Sequence, residues 1–148
     1  MNAAAKKYWD AYWGTKERPN VVSAWMFGDS PDELAQKVLS GKKTATCSAY
    51  ALYEVQNEPL PQLNEYSIIL NSLEEPVAMI KTTDVSLIPF CDVEEEFALA
   101  EGEGSYEEWK QIHERYFKEE MGKVGLPFSN EMLLVCERFV LVDDKGGI

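Results

Sequence analysis

The segment from Met132 to Val142 constrains the fold more than any other stretch. It reads MLLVCERFVLV, apolar on both faces apart from Glu137 and Arg138. A strand with one solvated face alternates apolar and polar residues, whereas one apolar on both faces lies inside a sheet that is covered on both sides. Other strands must therefore flank this one, and helices must cover it. Apolar residues make up 45% of a chain of 148, enough for one domain core without a metal or disulfide staple.

The flanking strands can be read from β-branched and aromatic runs between turn residues. They are Val21 to Phe27, a short one within Lys43 to Ser48, Tyr66 to Asn71, and Val77 to Ile88. The last two form a hairpin through a turn at Leu73 to Pro76, and Gly28-Asp29 is a further turn. Ala3 to Lys16 reads as a helix with Tyr8, Trp9, Tyr12 and Trp13 on one side, spaced to cap a core. Ser30-Pro31-Asp32-Glu33 and Ser105-Tyr106-Glu107-Glu108 are capping boxes. The first opens a helix through Leu34, Val38 and Leu39 that ends at Gly41, and the second a helix to about Met121. Tyr50 to Gln56 is a helical turn and Asp92 to Ala100 a short helix. Pro59 and Pro61 break the chain, and Gly122, Gly125 and Pro127 connect the long helix to the last strand. Strands do not alternate regularly with long helices, which argues against a doubly wound parallel sheet. The expected fold is α+β: a small, partly closed mixed β-barrel with peripheral helices. It forms a single domain over 1–148, with an N-terminal helix at about 3–16 packed on it.

Charge narrows the partners. Twenty-six acidic residues face 14 basic ones, a net charge of −12. Nonspecific grip on a nucleic-acid backbone depends on Lys and Arg displacing counterions, and polybasic membrane attachment needs the same residues. Extended nucleic-acid binding and membrane association are therefore not expected. A small nucleoside-like ligand or a short RNA element at a local basic spot remains compatible. The N-terminus has no apolar h-region, and no apolar run approaches the roughly 18 residues of a membrane span. Cys47, Cys91 and Cys136 are odd in number and lack CxxC spacing, so they read as reduced thiols acting as small buried hydrophobes in a cytoplasmic protein.

Three features can carry chemistry. Gly41-Lys42-Lys43-Thr44-Ala45-Thr46-Cys47-Ser48 follows a helix end, so it is not a phosphate-binding loop, which precedes one. It is either a basic helix end complementing the dipole or a lysine set to activate a threonine hydroxyl. In an extended segment Lys43 and Thr46 point to opposite sides, so their convergence needs a bend. Glu101-Gly102-Glu103-Gly104 is the second feature; its glycines allow a close backbone approach, and its alternative is a solvated acidic loop. No Lys or Arg lies between Lys81 and Lys110 among nine acids, and such crowding raises carboxyl pKa values toward those of a general acid or base. The third is the lone His113, on one helix face with Tyr106, Trp109, Tyr116 and Phe117. It reads as a packed, hydrogen-bonded histidine. A zinc site with the three cysteines lacks ligand spacing, and no metal or cofactor is called for.

The Gly41-x-Lys43-x-x-Thr46 segment resembles the signature of the ASCH family, as does Pro61-Gln62-Leu63-Asn64-Glu65 leading into a strand. Gly104-Ser105-Tyr106-Glu107-Glu108-Trp109 is similar to a bacterial subgroup. The resemblance covers about Val21 to Val142. It implies a PUA-like barrel, a fold used to bind RNA, and a relationship to small amidohydrolases that deacetylate N4-acetylcytidine with a lysine, a threonine nucleophile and a glutamate. Lys43 and Thr46 match the first two positions and Glu103 the third, with Glu101 competing. Lys42, Thr44, Ser48 and Glu101 are the accompanying ligand-binding candidates. Many members carry a basic residue two places after the threonine, where this chain has Ser48. The readings that follow are an amidohydrolase of N4-acylated cytidine or a similar small amide, a non-catalytic RNA- or nucleotide-binding module, and an acidic regulatory or protein-interaction domain.

Overall fold

The computed structural model describes residues 1–20, 22–28 and 30–144. Five strands form one sheet: β1 (Val22–Trp25), β2 (Ala45–Ala49), β3 (Tyr66–Leu70), β4 (Pro76–Pro89) and β5 (Leu133–Asp144). Their spatial order is β1-β3-β4-β5-β2. β1 runs parallel to β3, and every other pairing is antiparallel. The sheet is mixed, as the strand spacing implies, and β5 is paired on both sides. Val21 and Asp29, which the sequence places in a strand and a turn, lie outside the described residues.

Register shifts interrupt the β4–β5 ladder at Met79/Ile80 and again at Thr82/Asp84. Extra residues of this kind bend and twist a sheet. The two edge strands, β1 and β2, contribute to the walls of one shared cavity. The sheet thus curls without closing, and the gap between its edges is lined from both.

Helices cover both faces. On one, α1 (Ala3–Trp13) buries Ala5, Tyr8 and Trp9 against Ile68, Leu70 and Met79. On the other, α2 (Pro31–Leu39) buries Leu34, Ala35 and Val38 against Ile69, Ala78 and Ile80. The alternation of 68/70 with 69 along β3 is the pleat itself. A third cluster joins Phe97 of α4 (Glu95–Ala100) and Trp109, Phe117 and Met121 of α5 (Tyr106–Lys123) to Ala45, Ala49 and Leu134. The short α3 (Tyr50–Val55) follows β2. Among the described residues no helix is long and apolar enough to cross a membrane.

The two capping boxes differ. At α5 the box is complete: the Glu108 N–H donates to Ser105 Oγ, and the Ser105 N–H to Glu108 Oε1, each at 3.2 Å. At α2 the Ser30 side chain makes no cap bond. The Asp32 carboxylate instead accepts from the Ser72 N–H at 2.7 Å and from its hydroxyl at 2.6 Å. Glu33, the residue that would complete this box, stands 3.5 Å from Lys37 Nζ.

Candidate functional site

The site begins with a backbone contact between segments nearly sixty residues apart. Beyond α2, Gly41 takes φ +81, and the Lys43 N–H donates to the Lys37 carbonyl. The next N–H, of Thr44, donates to Ala100 O at 2.8 Å, tying this connector to the end of α4. Gly102 adopts φ +77, and a Cβ there would stand 2.7 Å from Lys42 O. Glycine is therefore required at 102 for conformation and for space. The close approach expected of this loop is made to the protein's own chain.

That contact buries Lys43, which is 2% exposed, beside Glu101, 1% exposed. Lys43 Nζ donates to the Glu101 backbone carbonyl at 3.3 Å and to its Oε1 at 3.4 Å. The other oxygen, Glu101 Oε2, accepts from Trp109 Nε1 at 2.6 Å and Cys47 Sγ at 3.3 Å, with His113 Nε2 at 3.4 Å. Burial alone would raise the Glu101 carboxyl. The Lys43 ammonium, His113 and the Trp109 donor outweigh it and hold the group below the usual carboxylate range.

Glu103 sits differently. Its Oε2 is buried and lacks a hydrogen-bond partner, the His113 Nε2 standing 3.6 Å away. Burial pushes this carboxyl up, against the pull of His113 and Lys43. The raised pKa predicted for the acidic block thus arises mainly from desolvation, with Glu101 as a lesser contributor. His113 stacks on Trp109 at 4.4 Å, and its Nδ1 faces Trp109 O at 2.9 Å. Burial lowers the imidazole, but Glu101 and then Glu103 outweigh that and raise it.

Lys43, Thr46, Glu101 and Glu103 line one cavity of about 50 Å³, together with Cys47 and His113. Lys43 precedes β2, so strand alternation does not govern it. The bonds of 43 and 44 supply the bend that convergence with Thr46 requires. Thr46 also lines a second cavity of about 500 Å³, the one between the sheet edges. Ser48 lines this larger cavity and shares a 2.7 Å hydrogen bond with the Tyr53 hydroxyl. Lys42 and Thr44 are exposed and line neither cavity.

Tyr116 borders both cavities, packed so close to Gly28 that any Cβ there would collide with its hydroxyl. Cys47 is half-buried in the site, Cys136 is buried, and Cys91 is exposed, a departure from the reading of all three as buried hydrophobes. Cys47, Glu101 and His113 bring three donor atoms within 4.8 Å of one another, the spacing a metal ion could use. However, burial and the Glu101 charge push the Cys47 thiol well up, and Lys43 already neutralises the carboxylate. The trio is committed to internal proton and charge sharing, and Cys91 and Cys136 are not part of it.

Residues 23–143 match the model of the ASCH domain. The chain belongs to the ASCH domain family. Among solved structures, this ASCH domain is similar to protein EF3133 from Enterococcus faecalis V583, at 39% identity and TM-score 0.89 over 97% of this chain and 91% of that one. An ASCH domain from Lactobacillus crispatus JV V101 matches at 29% identity and TM-score 0.89, over 95% of both chains. The hypothetical protein PH0355, at 15% identity and TM-score 0.55, covers 82% of this chain and all of its own, and speaks to fold alone. No curated protein matches significantly. The ASCH assignment agrees with the five-stranded, unclosed mixed sheet: the fold is α+β and PUA-like.

Residue spacing did not reveal His113, Trp109 or Cys47 as members of this site. The signal available for His113 was its i,i+4 step from Trp109 on a helix that opens directly after the acidic loop. Only the loop's fold onto that helix makes the signal meaningful.

Proposed function

We propose that this ASCH domain is an amidohydrolase acting on an N4-acylated cytidine or a similar small linear amide. One observation carries the reading: a lysine, a threonine hydroxyl and a carboxyl with an uncommitted buried oxygen line one cavity, although the carboxyl comes from a stretch of chain remote from the other two. Catalytic groups need this convergence, and a purely structural ion pair does not.

In the mechanism, the Thr46 hydroxyl adds to the amide carbonyl carbon and passes its proton to the Glu103 carboxylate. Lys43 Nζ donates to two Glu101 oxygens, which leaves its third N–H to meet the charge that develops on oxygen. The tetrahedral adduct collapses, Glu103 returns the proton to the leaving amine nitrogen, and an acyl ester remains on Thr46. Water then attacks the ester. Glu103 takes its proton and delivers it to Thr46 Oγ1, releasing the carboxylic acid. A carboxyl with a raised pKa suits both proton transfers. Glu101, with its oxygens occupied, positions Lys43 and His113.

The RNA-module reading depends on a basic patch that includes Lys43. Lys43 is instead buried on Glu101, which weakens that patch. The test is incubation with a panel of N4-acylated cytidines, following release of free cytidine. Thr46→Ala should cut turnover by at least ~1,000-fold while leaving the denaturation midpoint nearly unchanged. Turnover by that variant at the wild-type rate removes Thr46 from the role.

A further inference from the structure

The larger cavity contains a group that this mechanism does not use. In the β2–β5 ladder Thr46 lies directly opposite Glu137. Residues opposite one another in an antiparallel pair project to the same face with Cβ atoms ~5 Å apart. Both side chains line the 500 Å³ cavity, along with Glu65, Glu58, Tyr53 and Trp25. No Lys, Arg or His lines it among the described residues. Arg138, the next residue on β5, pairs with Glu96 and lines a different cavity. Lys81 on β4 lies over the Tyr66 ring.

We infer that this cavity receives the heterocyclic part of an uncharged, unphosphorylated substrate, held by Glu137 through an edge that places a ring-nitrogen acceptor beside an N–H donor. The inference rests on the proposed amide hydrolysis at Thr46, and it adds where the rest of the substrate goes. When the carbonyl carbon sits at Thr46, the amide nitrogen is one bond away and the ring carbon and ring nitrogen follow. Those atoms fall on the neighbouring strand, at Glu137. An N-acylated amino-heterocycle presents an N–H and an adjacent ring nitrogen there. A carboxylic acid matches that pair, its O–H donating to the ring nitrogen and its C=O accepting from the N–H.

The surroundings favour that form of Glu137. Burial, and then the facing Glu65 charge, raise its carboxyl to about 7, with Thr82 partly opposing. Glu65 is itself held by the Gln62 N–H at 3.0 Å. The nearby Tyr53 is also pushed up, chiefly by burial, so it stays a neutral phenol. A phosphate entering this cavity meets carboxyl groups and no cation among the described residues, which disfavours nucleotides on electrostatic grounds.

The test is calorimetric binding of cytidine, the product of the proposed reaction, so that turnover plays no part. Wild type should bind cytidine with affinity falling at least ~10-fold as pH rises from ~6 to ~8.5. Glu137→Gln, whose amide keeps one donor and one acceptor, should bind without that step. Glu137→Ala should bind at least ~10-fold more weakly at the lower pH, and cytidine monophosphate at least ~10-fold more weakly than cytidine. Each variant is first checked for native circular dichroism. The inference is overturned by the absence of cytidine binding to wild type, by a pH step that persists in Glu137→Gln, or by full affinity in Glu137→Ala or for the monophosphate. If acylated cytidines are not hydrolysed but cytidine binds in this Glu137-dependent way, only the catalytic reading fails. Hydrolysis with Glu137-independent binding sinks only this one.

Discussion

On the small-cavity side of Thr46, the buried Glu101 carboxylate meets Lys43, His113, Trp109 and Cys47. On the large-cavity side, Glu137 faces a second carboxylate, Glu65, and no lining cation among the described residues. The same residue type is thus driven in opposite directions on the two sides of Thr46: Glu101 is lowered and Glu137 is raised to about 7. Burial raises both, so the partners decide the sign. On the paired side the Glu101 carboxylate is satisfied internally, with Glu103 left as the group free to act. The unpaired side stores an unfavourable charge that a proton or a ligand relieves.

The largest effect should come from breaking the paired side. Glu101→Gln keeps an acceptor for Trp109 but removes the charge opposite a buried ammonium. Stranding one member of a buried pair costs ~3–5 kcal/mol. Urea denaturation should show a lower midpoint at unchanged slope. Adding Lys43→Met should restore part of the loss, because the orphaned charge goes with it. A single-variant loss below ~1 kcal/mol would mean that the ammonium reaches water, and the contrast with Glu137 would dissolve.

The unpaired side should respond in the other direction, and only at higher pH. Glu137 has a folded pKa above its ordinary 4.5, so the native state holds the proton more tightly than the unfolded chain does. Its contribution is complete below about 4.5 and is lost as pH rises through about 7. Glu137→Gln should therefore be more stable than wild type above that range, by roughly 1–3 kcal/mol once partial solvent access is discounted, with the gap shrinking toward acid. Parallel stability curves for the two proteins across pH would show that Glu137 is solvated in both states. His113 has the same sign for a different reason: Glu101 and Glu103 raise it, so its stabilisation is present below about 6.5 and declines as the imidazole deprotonates.

These two sides were unequally legible in the sequence. Gly41-x-Lys43-x-x-Thr46 and the Glu101–Glu103 loop stand out locally, and their glycines mark where the chain must turn or approach itself. Strand and helix assignments survive because each rests on a periodicity within its own segment. Glu137 appeared only as an interruption in an apolar strand. Its meaning depends on the β2–β5 register, which sets it across from Thr46, and on sheet curl, which brings Glu65 near. Register is a long-range property that no window of sequence contains. Ser30 shows the same limit: its capping signal is locally complete, yet its side chain makes no cap bond, and the nearby Asp32 carboxylate accepts hydrogen bonds from Ser72, forty residues away.

The smallest expected effect sharpens the comparison through the helix that serves the paired side. α5 carries Trp109 and His113, and its first turn is held by the reciprocal Ser105–Glu108 bonds. Ser105→Ala removes an acceptor for an otherwise unsatisfied N–H and should cost ~1 kcal/mol. Ser30→Ala, at a cap position with no such bond, should cost no more than a few tenths of a kcal/mol. The two measured together separate helix capping from the charge network. If Ser105→Ala shifts the His113 titration, followed by proton NMR, the paired side depends on how firmly α5 begins. An unshifted titration beside a ~1 kcal/mol loss assigns the cost to the helix end alone, and leaves the Glu101 carboxylate as what holds the imidazole.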